Sequence, residues 1–422
     1  MSDIHDDQRS SRGRDYPRLA ALLLAWLLAA CGDATPTPFQ SVHQTDSPAG
    51  AGSGQPSVFA SSDGRVYLSW LEPAGEDEFA LRYATWLDGG WTAARTVSRG
   101  RDWFVNSADF PSLVELPGGR LAAHWLDWGG PSPYAYEVRV AQSPDGGRSW
   151  SRPVTPHTDS TATEHGFVSM FPWEGDRLGL VWLDGREMVE EGGEMTLRFT
   201  WLGGKGELGP PVLLDERVCE CCQTDAALTA AGPLVVYRGR SPEEVRDIHY
   251  LRYTGGRWSR PRPVHADGWV IAGCPVNGPA VAAEGKSVVV AWYTAARDTA
   301  RVMVAFSDDA GATFSPPLRV DDGAPRGRVD ALLTGDGSAL VSWVENAGDH
   351  GELRVRRLVS GRASANRTGR PLASSATVAT GASGFPRMAR VGREVWIAWT
   401  EASSPTRVRV ARARLGRLPG QP

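Results

Sequence analysis

A hairpin-like unit recurs at a steady interval along the chain. In Pro279–Trp292 (PAVAAEGKSVVVAW) a short run of small and apolar residues leads to a turn at Gly285, and a valine-rich run then ends in an aromatic residue. Valines on both sides of a glycine-containing turn predict two antiparallel strands. Seven copies of the unit close on an aromatic residue: Trp70, Trp125, Trp182, Tyr237, Trp292, Trp343 and Trp399.

The spacing of these aromatic residues predicts the architecture. Successive steps are 55, 57, 55, 55, 51 and 56 residues. A strand-only repeat of this length indicates a β-propeller, in which similar sheets are arranged radially around an axis. We therefore predict an all-β protein with seven four-stranded blades over residues 55–415, with six blades as the alternative. The seventh unit lacks a fourth strand at the C-terminus, and Phe39–His43 is the segment available to supply it.

The N-terminus has the features of an export signal. Four arginines within residues 9–18 precede the apolar run Leu19–Ala30, which is too short to span a bilayer comfortably. The run ends in Leu-Ala-Ala-Cys and resembles the bacterial lipobox, in which the cysteine is lipidated. We expect a signal peptide at 1–30 and a lipidated Cys31 that begins a flexible tether at 31–54. This places the protein in the bacterial cell envelope, on the periplasmic side or in the outer membrane; ordinary cleavage with a free Cys31 is the alternative.

Two eight-residue segments carry a family resemblance. SPDGGRSW at 143–150 and SDDAGATF at 307–314 are similar to the Asp box of the sialidase-like propellers. Carboxylates in such turns accept backbone N–H bonds, glycines relax the backbone, and the final aromatic residue packs into the blade. The resemblance assigns a structural role to Ser143, Asp145, Gly147, Trp150, Ser307, Asp309, Gly311 and Phe314.

The same resemblance implies an exo-sialidase-like glycoside hydrolase, and the sequence departs from that pattern. Sialidases have six blades, and they carry an Arg-Ile-Pro motif before the first blade. The chain has no such motif, and no Tyr–Glu nucleophile pair can be placed in it. Both a glycoside hydrolase and a protein without catalytic activity are therefore consistent with the sequence.

The candidate site residues lie just after the second strands and in the loops that lead into the next blades. Five blades place a carboxylate two residues beyond the closing aromatic residue, at Glu72, Asp127, Asp184, Glu345 and Glu401. Asp127 and Asp184 are the candidate catalytic pair, because two carboxyl groups across a gap can hydrolyse a glycoside. Arginines on loops of the same face are candidates for gripping a carboxylated sugar: Arg186, Arg238, Arg240, Arg297 and Arg328. The alternative is that these charges form solvated ion pairs.

Four further cysteines cluster at the starts of the fourth and fifth blades. They are Cys219, Cys221, Cys222 and Cys274. In an exported protein an even set of clustered cysteines predicts disulfide bonding, here a bridge from the 219–222 cluster to Cys274. The alternative is a thiolate site, with His265 as a candidate further ligand, for a soft ion such as Cu(I) or Zn(II). We expect no cofactor and no bound metal.

The charge balance narrows the range of partners. The formal net charge of −4 offers no general basis for binding nucleic acid. We expect a monomeric, membrane-anchored propeller that binds, or hydrolyses, an acidic glycan. A scaffold without catalytic activity that docks another envelope protein is the alternative function.

Overall fold

The computed structural model describes residues 37–189, 192–359 and 373–417. The predicted signal peptide and Cys31 lie outside these ranges. The described residues form 29 strands and two short 3₁₀ helices, Arg186–Val189 and Ala296–Asp298. Within them, no helix has the length and apolar character needed to cross a membrane.

The strands are numbered β1 to β29 in chain order, and β1 (Phe39–Thr45) precedes the first blade. Blade 1 is formed by β2 (Gly54–Ala60), β3 (Val66–Gly75), β4 (Glu78–Leu87), β5 (Gly90–Trp91) and β6 (Arg95–Gly100). Blade 2 is formed by β7 (Ser112–Leu116), β8 (Arg120–Trp128) and β9 (Tyr136–Ser143). Blade 3 is formed by β10 (His165–Pro172), β11 (Leu178–Asp184), β12 (Thr196–Leu202) and β13 (Val212–Asp215).

The remaining blades follow the same order. Blade 4 is formed by β14 (Asp225–Thr229), β15 (Gly232–Arg238), β16 (Ile248–Thr254), β17 (Arg257–Trp258) and β18 (Arg262–Pro263). Blade 5 is formed by β19 (Ala280–Glu284), β20 (Ser287–Thr294), β21 (Arg301–Ser307) and β22 (Leu318–Arg319). Blade 6 is formed by β23 (Pro325–Leu333), β24 (Ser338–Ala347), β25 (His350–Val359) and β26 (Ala373–Thr380). Blade 7 contains β27 (Ala382–Val391), β28 (Glu394–Glu401) and β29 (Arg407–Leu415).

Each blade is an antiparallel sheet whose strands follow one another outward from the axis. The first strands of neighbouring blades lie side by side, and β2 lies beside β27, which closes the ring. Because antiparallel strands alternate direction, the inter-blade connections and the loops from second to third strands share one end of the ring, called the top face. The prediction of seven blades is confirmed.

The N-terminal strand completes the last blade. Strand β1 pairs antiparallel with β29, from Phe39 opposite Leu415 to Thr45 opposite Val410. Blade 7 therefore has four strands, and the predicted closure by the N-terminal segment is confirmed. Joining the two ends of the chain in one sheet leaves blade 7 no open outer edge beside β29.

The outermost strands are the least regular part of the blades. In blades 1 and 4 the fourth strand is split into two short pieces that pair with the same third strand. In blade 2 the predicted fourth strand at Trp150–Thr155 is reduced to a single bridge between Val140 and Val154.

The closing aromatic residues stand on the second strands of all seven blades, as predicted. Each is buried, and the apolar core consists of clusters between neighbouring blades. For example, Trp70 of blade 1 packs in one cluster with Trp396 of blade 7. Burial of such large side chains holds each blade against the next.

Candidate functional site

The axis of the ring is lined by first-strand residues and contains a buried charge cluster. Arg387 of β27 places Nη1 3.7 Å from Oδ1 of Asp330 on β23. A cavity of about 320 Å³ is lined by Arg387, Asp330 and Asp225 of β14. An adjoining cavity of about 190 Å³ shares Arg387 and Asp225 and extends to Asp109 in front of β7. The charged cluster therefore separates two cavities along the axis.

The three carboxylates of Asp109, Asp225 and Asp330 also join neighbouring blades. Oδ2 of Asp225 accepts the N–H of Val281 at 2.8 Å, and Oδ1 of Asp109 accepts the N–H of Phe167 at 2.8 Å. Oδ2 of Asp330 likewise accepts the N–H of Met388 at 2.5 Å. In each case a carboxylate on or just before one first strand binds the backbone of the next blade's first strand. Oδ1 of Asp225 also accepts the N–H of Ala226 at 2.9 Å, and Oδ1 of Asp330 faces Arg387.

Desolvation inside the ring shifts these carboxyl groups toward the neutral form. It raises the pKa of Asp225 to about 6, although the Arg387 guanidinium opposes the shift. It also raises the pKa of Asp330, and it raises that of Asp109 well above its usual range. Carboxyl groups with such pKa values can donate hydrogen bonds or protons near neutral pH.

An arginine and two phenylalanines lie together at the top end of the axis. The rings of Phe110 and Phe385 have centroids 5.5 Å apart. The guanidinium carbon of Arg328 lies 4.7 Å from the centroid of Phe385, and that of Arg387 lies 5.8 Å from Phe110. Phe110 and Phe385 also line a cavity of about 220 Å³ that reaches blade 1.

The backbone around Arg328 is irregular, and its side chain has no acceptor among the described residues. Strand β23 shifts register between Gly327 and Asp330, and Arg328 has a φ of 57°. Its backbone N–H donates to Oδ1 of Asn277 at 2.8 Å, which holds the bulge in place. Burial and the neighbouring Arg326 lower the pKa of Arg328. A half-buried guanidinium without a carboxylate partner is available to an anionic ligand.

The two Asp boxes lie at the opposite end of the ring and have the same internal bonding. Oδ1 of Asp145 accepts the N–H of Ser149 at 2.9 Å, and Oδ1 of Asp309 accepts that of Thr313 at 2.9 Å. The serine that begins each box accepts the N–H of its fifth-position glycine, Gly147 at 2.7 Å and Gly311 at 3.0 Å. Trp150 and Phe314 meet Tyr83 and Tyr250 edge-on. This bonding, repeated in blades 2 and 5 of a propeller, decides the assignment of the fold.

The fold is a sialidase-like β-propeller. No protein-family model matches the chain, and no curated protein matches it. Among solved structures, the propeller is similar to Penicillium chrysogenum alpha-L-arabinanase, with 13% identity over 89% of this chain and 98% of that chain and a TM-score of 0.49. The leech intramolecular trans-sialidase has 11% identity over 88% and 91% of the two chains and a TM-score of 0.48.

A third similar structure is the Hadza microbial sialidase Hz136. It has 12% identity, covers 69% of this chain and has a TM-score of 0.45. The propeller spans 63% of the length of that sialidase. These similarities concern the backbone fold alone.

Asp127 and Asp184 lie away from the cavities on the axis. Asp127 accepts from Nε1 of Trp125 at 3.1 Å and from Nε of Arg139 at 2.9 Å. Asp184 is fully buried and accepts from Nε1 of Trp182 at 2.7 Å. Burial alone would raise the pKa of Asp184, but the hydrogen bonds from Arg186 and Trp182 and the charges of His165 and Arg186 together outweigh it, and the pKa is lowered. The structure therefore gives both carboxylates a bonding role within their own blades.

The five predicted arginines do not converge on one pocket. Arg186 is paired with Asp184 and with Asp159. Arg238 is buried, and its guanidinium donates to the backbone carbonyls of Asn277, Arg246 and Tyr293. Arg240 forms ion pairs with Glu194, Glu220 and Glu244. Arg297 is exposed in the second 3₁₀ helix, and Arg328 is the member of the set that lies at the axis.

The predicted disulfide to Cys274 is not formed in the structure. All four cysteines of the described residues are free thiols, and Cys274 is exposed. Sγ of Cys219 instead lies 3.2 Å from Sγ of Cys222 and 3.9 Å from Sγ of Cys221. Contacts with these two thiols lower the pKa of Cys219. The nearest sulfurs come from the same loop, so the cluster is local rather than a link between two loops.

Two groups of side chains missed by the sequence analysis lie near blade 3. The rings of His157 and His165 stack with centroids 3.8 Å apart, and Nε2 of His165 lies 3.0 Å from Oδ2 of Asp159. These three residues could hold a metal ion, but Arg186 already pairs with Asp159 at 2.9 Å. Burial lowers the pKa of His157 to about 4, so its ring is neutral.

The second missed group is a tyrosine–glutamate pair. The hydroxyl of Tyr136 donates to Oε1 of Glu164, beside Asp109. Tyr136 is buried and stacked on Phe104, and desolvation raises its pKa well above the usual range. Its phenol is therefore neutral and shielded from solvent. Tyr136 and Glu164 are 28 positions apart, and the segment between them carries no pattern that would have joined them before the fold was known.

Proposed function

We propose that the protein binds an acidic glycan at the top end of its axis, with Arg328 as the group that receives the sugar carboxylate. The observation that carries the proposal is the position of this guanidinium. It covers Phe385 at 4.7 Å, and no carboxylate of the described residues pairs with it.

The side chains of Arg328, Phe385 and Phe110 form a corner that suits a carboxylated sugar. A guanidinium presents a planar fork that can bind both oxygens of a carboxylate. Stacking on Phe385 restricts the Arg328 side chain before binding, so less conformational entropy is lost when the ligand arrives. The partly exposed ring of Phe110 offers an apolar surface against the carbon-bound hydrogens of a sugar ring.

The carboxyl groups on the axis supply the polar contacts behind this corner. Asp225, with a pKa of about 6, can donate a hydrogen bond to a sugar hydroxyl in its protonated form. Arg387 keeps a positive charge close to the same cavity. The combination favours a ligand that carries both hydroxyl groups and a negative charge. The predicted hydrolytic pair of Asp127 and Asp184 stays a prediction, and binding is the activity proposed.

The test is calorimetric titration of the purified mature chain with sialic-acid and uronic-acid oligosaccharides and with neutral oligosaccharides of the same length. Losing a charge-assisted fork contact should weaken acidic-glycan binding about 10- to 100-fold in Arg328→Ala. Arg328→Lys should lie between this variant and the wild type, because lysine keeps the charge and loses the fork. The control is Arg260→Ala, which removes an exposed charge from the outer part of blade 4, whereas Arg328 is half-buried.

Two results would contradict the proposal. One is equal binding of acidic glycans by the wild type and Arg328→Ala. The other is binding of neutral and acidic oligosaccharides with the same affinity, because a guanidinium site must discriminate by charge.

A second candidate function is docking of another envelope protein. Trp128 and Tyr134 are exposed at the loop after β8, and Met188 and Val189 are exposed in the first 3₁₀ helix. Both segments connect second to third strands in neighbouring blades, so they share the top face. Exposed apolar side chains on adjoining loops are typical of a protein-binding surface. A photo-crosslinker at Tyr134 that captures one envelope protein in the native host, together with no glycan binding, would favour this function.

The proposal places the propeller in the bacterial envelope, attached through a lipid on Cys31. The support is the sequence alone: an apolar run that ends in Leu-Ala-Ala-Cys. The variant Cys31→Ser should release the protein from membranes or block its maturation. A mature N-terminus that maps well away from residue 31 in the native host would contradict the anchor and leave the glycan proposal untouched.

A further inference from the structure

The loop between blades 3 and 4 gathers three cysteine sulfurs, and we propose that Cys219, Cys221 and Cys222 form a three-coordinate binding site for Cu(I). The inference is independent of the glycan site at the axis. It concerns a soft, monovalent cation held at the rim of the top face.

The sulfur geometry is close to that of a trigonal thiolate site. The three Sγ atoms lie within 4.8 Å of one another. Cys219 is their shared neighbour, at 3.2 Å from Cys222 and 3.9 Å from Cys221. With metal–sulfur bonds of about 2.3 Å, a trigonal arrangement separates its sulfurs by about 4 Å. The Cys219–Cys221 pair already has this spacing, and the Cys219–Cys222 pair must separate by a fraction of an ångström.

The backbone of the loop is held by both neighbouring blades. The N–H of Val218 donates to the carbonyl of Met195 at 2.9 Å, and the N–H of Cys219 donates to the carbonyl of Arg238 at 3.0 Å. Cys219 and Cys222 are buried, whereas Cys221 is partly exposed. The sulfurs of Cys219 and Cys222 are therefore enclosed by the protein, and the sulfur of Cys221 is open to solvent. A cation can enter from the Cys221 side.

The charges around the sulfurs favour an anionic complex. Nη1 of Arg246 lies 3.3 Å from Sγ of Cys219 and also donates to Glu220 at 2.7 Å. Three thiolates with Cu(I) carry a net charge of −2, and an adjacent guanidinium stabilises this charge. Binding releases the thiol protons to solvent, and copper remains in the +1 state throughout.

The same arginine distinguishes Cu(I) from Zn(II). Structural Zn(II) sites are almost always four-coordinate, whereas soft thiolates select Cu(I). No fourth ligand accompanies the three sulfurs among the described residues. The group that borders Cys219 is a guanidinium, which is a donor only and cannot coordinate a cation. The described residues therefore supply three sulfur ligands, which is a complete set for trigonal Cu(I), whereas Zn(II) would need a water on the Cys221 side as a fourth ligand.

The competing state is a disulfide. Cys219 and Cys222 are spaced as C-x-x-C, and their sulfurs lie 3.2 Å apart. Formation of an S–S bond would remove two electrons and two protons and would leave Cys221 as a single thiol. That state cannot provide a three-sulfur site, so the two assignments exclude each other.

The experiment is anaerobic titration of the reduced mature chain with Cu(I) in the presence of bathocuproine disulfonate as competitor. The wild type should bind one Cu(I) per chain, and Zn(II) should not displace it at equal concentration. Cys221→Ser should weaken Cu(I) binding at least 100-fold, and it replaces the most exposed of the three residues. The matched control is Cys274→Ser, which removes an exposed cysteine outside the cluster and should bind like the wild type.

Thermal unfolding of Cys221→Ser must match the wild type without metal, which shows that a loss of binding is not a loss of fold. Equal affinity in Cys221→Ser and the wild type would overturn the proposal. So would a Cys219–Cys222 disulfide in protein isolated from the native envelope, found by mass mapping without reduction. Failure of this site leaves binding of acidic glycans by Arg328 unaffected, and the converse also holds.

Discussion

Nε1 of Trp182 donates a hydrogen bond to Oδ2 of Asp184 at 2.7 Å, two residues further along the same strand. Residues i and i+2 of a strand lie on the same face, so the carboxylate is placed to accept from the indole that precedes it. The same pairing joins Trp70 to Glu72 at 2.7 Å and Trp343 to Glu345. The acidic residue that follows each closing tryptophan in these blades is therefore the acceptor that allows the indole N–H to be buried.

This pairing makes Asp184 a determinant of stability. Asp184→Ala should lower the free energy of unfolding by about 3–5 kcal/mol, because it leaves the buried Trp182 indole without its acceptor and Arg186 with Asp159 alone. The matched control is Glu401→Ala, since Nε1 of Trp399 has no partner among the described residues and Glu401 bonds Arg409 near the surface. Its cost should stay within about 1 kcal/mol. Equal losses in a urea-unfolding comparison would contradict the structural role of Asp184.

Because β1 closes the ring, we expect a substitution at its buried end to destabilise the protein strongly. Phe39 is buried in the cluster of blades 6 and 7, whereas Val42 of the same strand is exposed. Phe39→Ala should cost about 3–5 kcal/mol through lost burial and a cavity. Val42→Ala should change the stability by no more than about 0.5 kcal/mol. Calorimetric unfolding of both variants is the measurement, and similar midpoints would show that β1 contributes little to closure.

Because the His124 side chain is buried, we expect the protein to lose stability in acid. Desolvation lowers its pKa to about 3, below the unfolded value of about 6.5. The unfolded state therefore binds a proton that the native state rejects, and this contribution is lost as the pH falls from 6.5 toward 3. The slope from one such group is at most about 1.4 kcal/mol per pH unit.

The measurement is the free energy of unfolding between pH 7 and pH 4 for the wild type and His124→Gln. The variant should show a smaller pH slope than the wild type, whatever its stability at pH 7. Its glutamine can keep a bond to Ser112, which lies 3.1 Å from Nδ1 of His124. Parallel curves for the two proteins would refute the assignment.

The first Asp box offers a pair of adjacent glycines with different surroundings. Both have positive φ, 69° at Gly146 and 84° at Gly147. A Cβ at Gly147 would lie 1.8 Å from Oη of Tyr83, whereas one at Gly146 would meet nothing closer than 3.9 Å. Gly146→Ala should cost about 1 kcal/mol in backbone strain, and Gly147→Ala should cost clearly more. The measurement is the unfolding midpoint of each of the two variants. Equal destabilisation by Gly146→Ala and Gly147→Ala would mean that Tyr83 moves aside.

The blade pattern could be predicted because its causes are local. Each closing aromatic residue follows a turn on the same hairpin, and the packing of a buried second strand requires a large side chain at that place. The Asp boxes are also local, because Ser143, Asp145 and Gly147 bond one another within one turn. Even the closure by β1 could be predicted, since the seventh repeat lacked a strand and one terminus had a strand to offer.

The site could not be predicted because its members come from distant parts of the chain. Arg328, Phe385 and Phe110 meet at the axis, although 57 residues separate the first two and 275 separate the last two. The sequence predicted which charged side chains lie on the top face, but it did not predict the residues with which they pair. Arg238 and Arg328 look equivalent in the sequence, and only the fold buries one against backbone carbonyls and leaves the other over an aromatic ring.

The sequence by itself determined the number of blades, the first three strands of each blade and the Asp-box turns, because these depend on alternation and on contacts within about sixty residues. The tertiary structure decided which charges are neutralised and which are free. Ring closure brings the first strands together at the axis, and desolvation there sets the pKa of Asp225 and the partners of Arg387. Those quantities depend on distances between blades, which no spacing along the chain specifies.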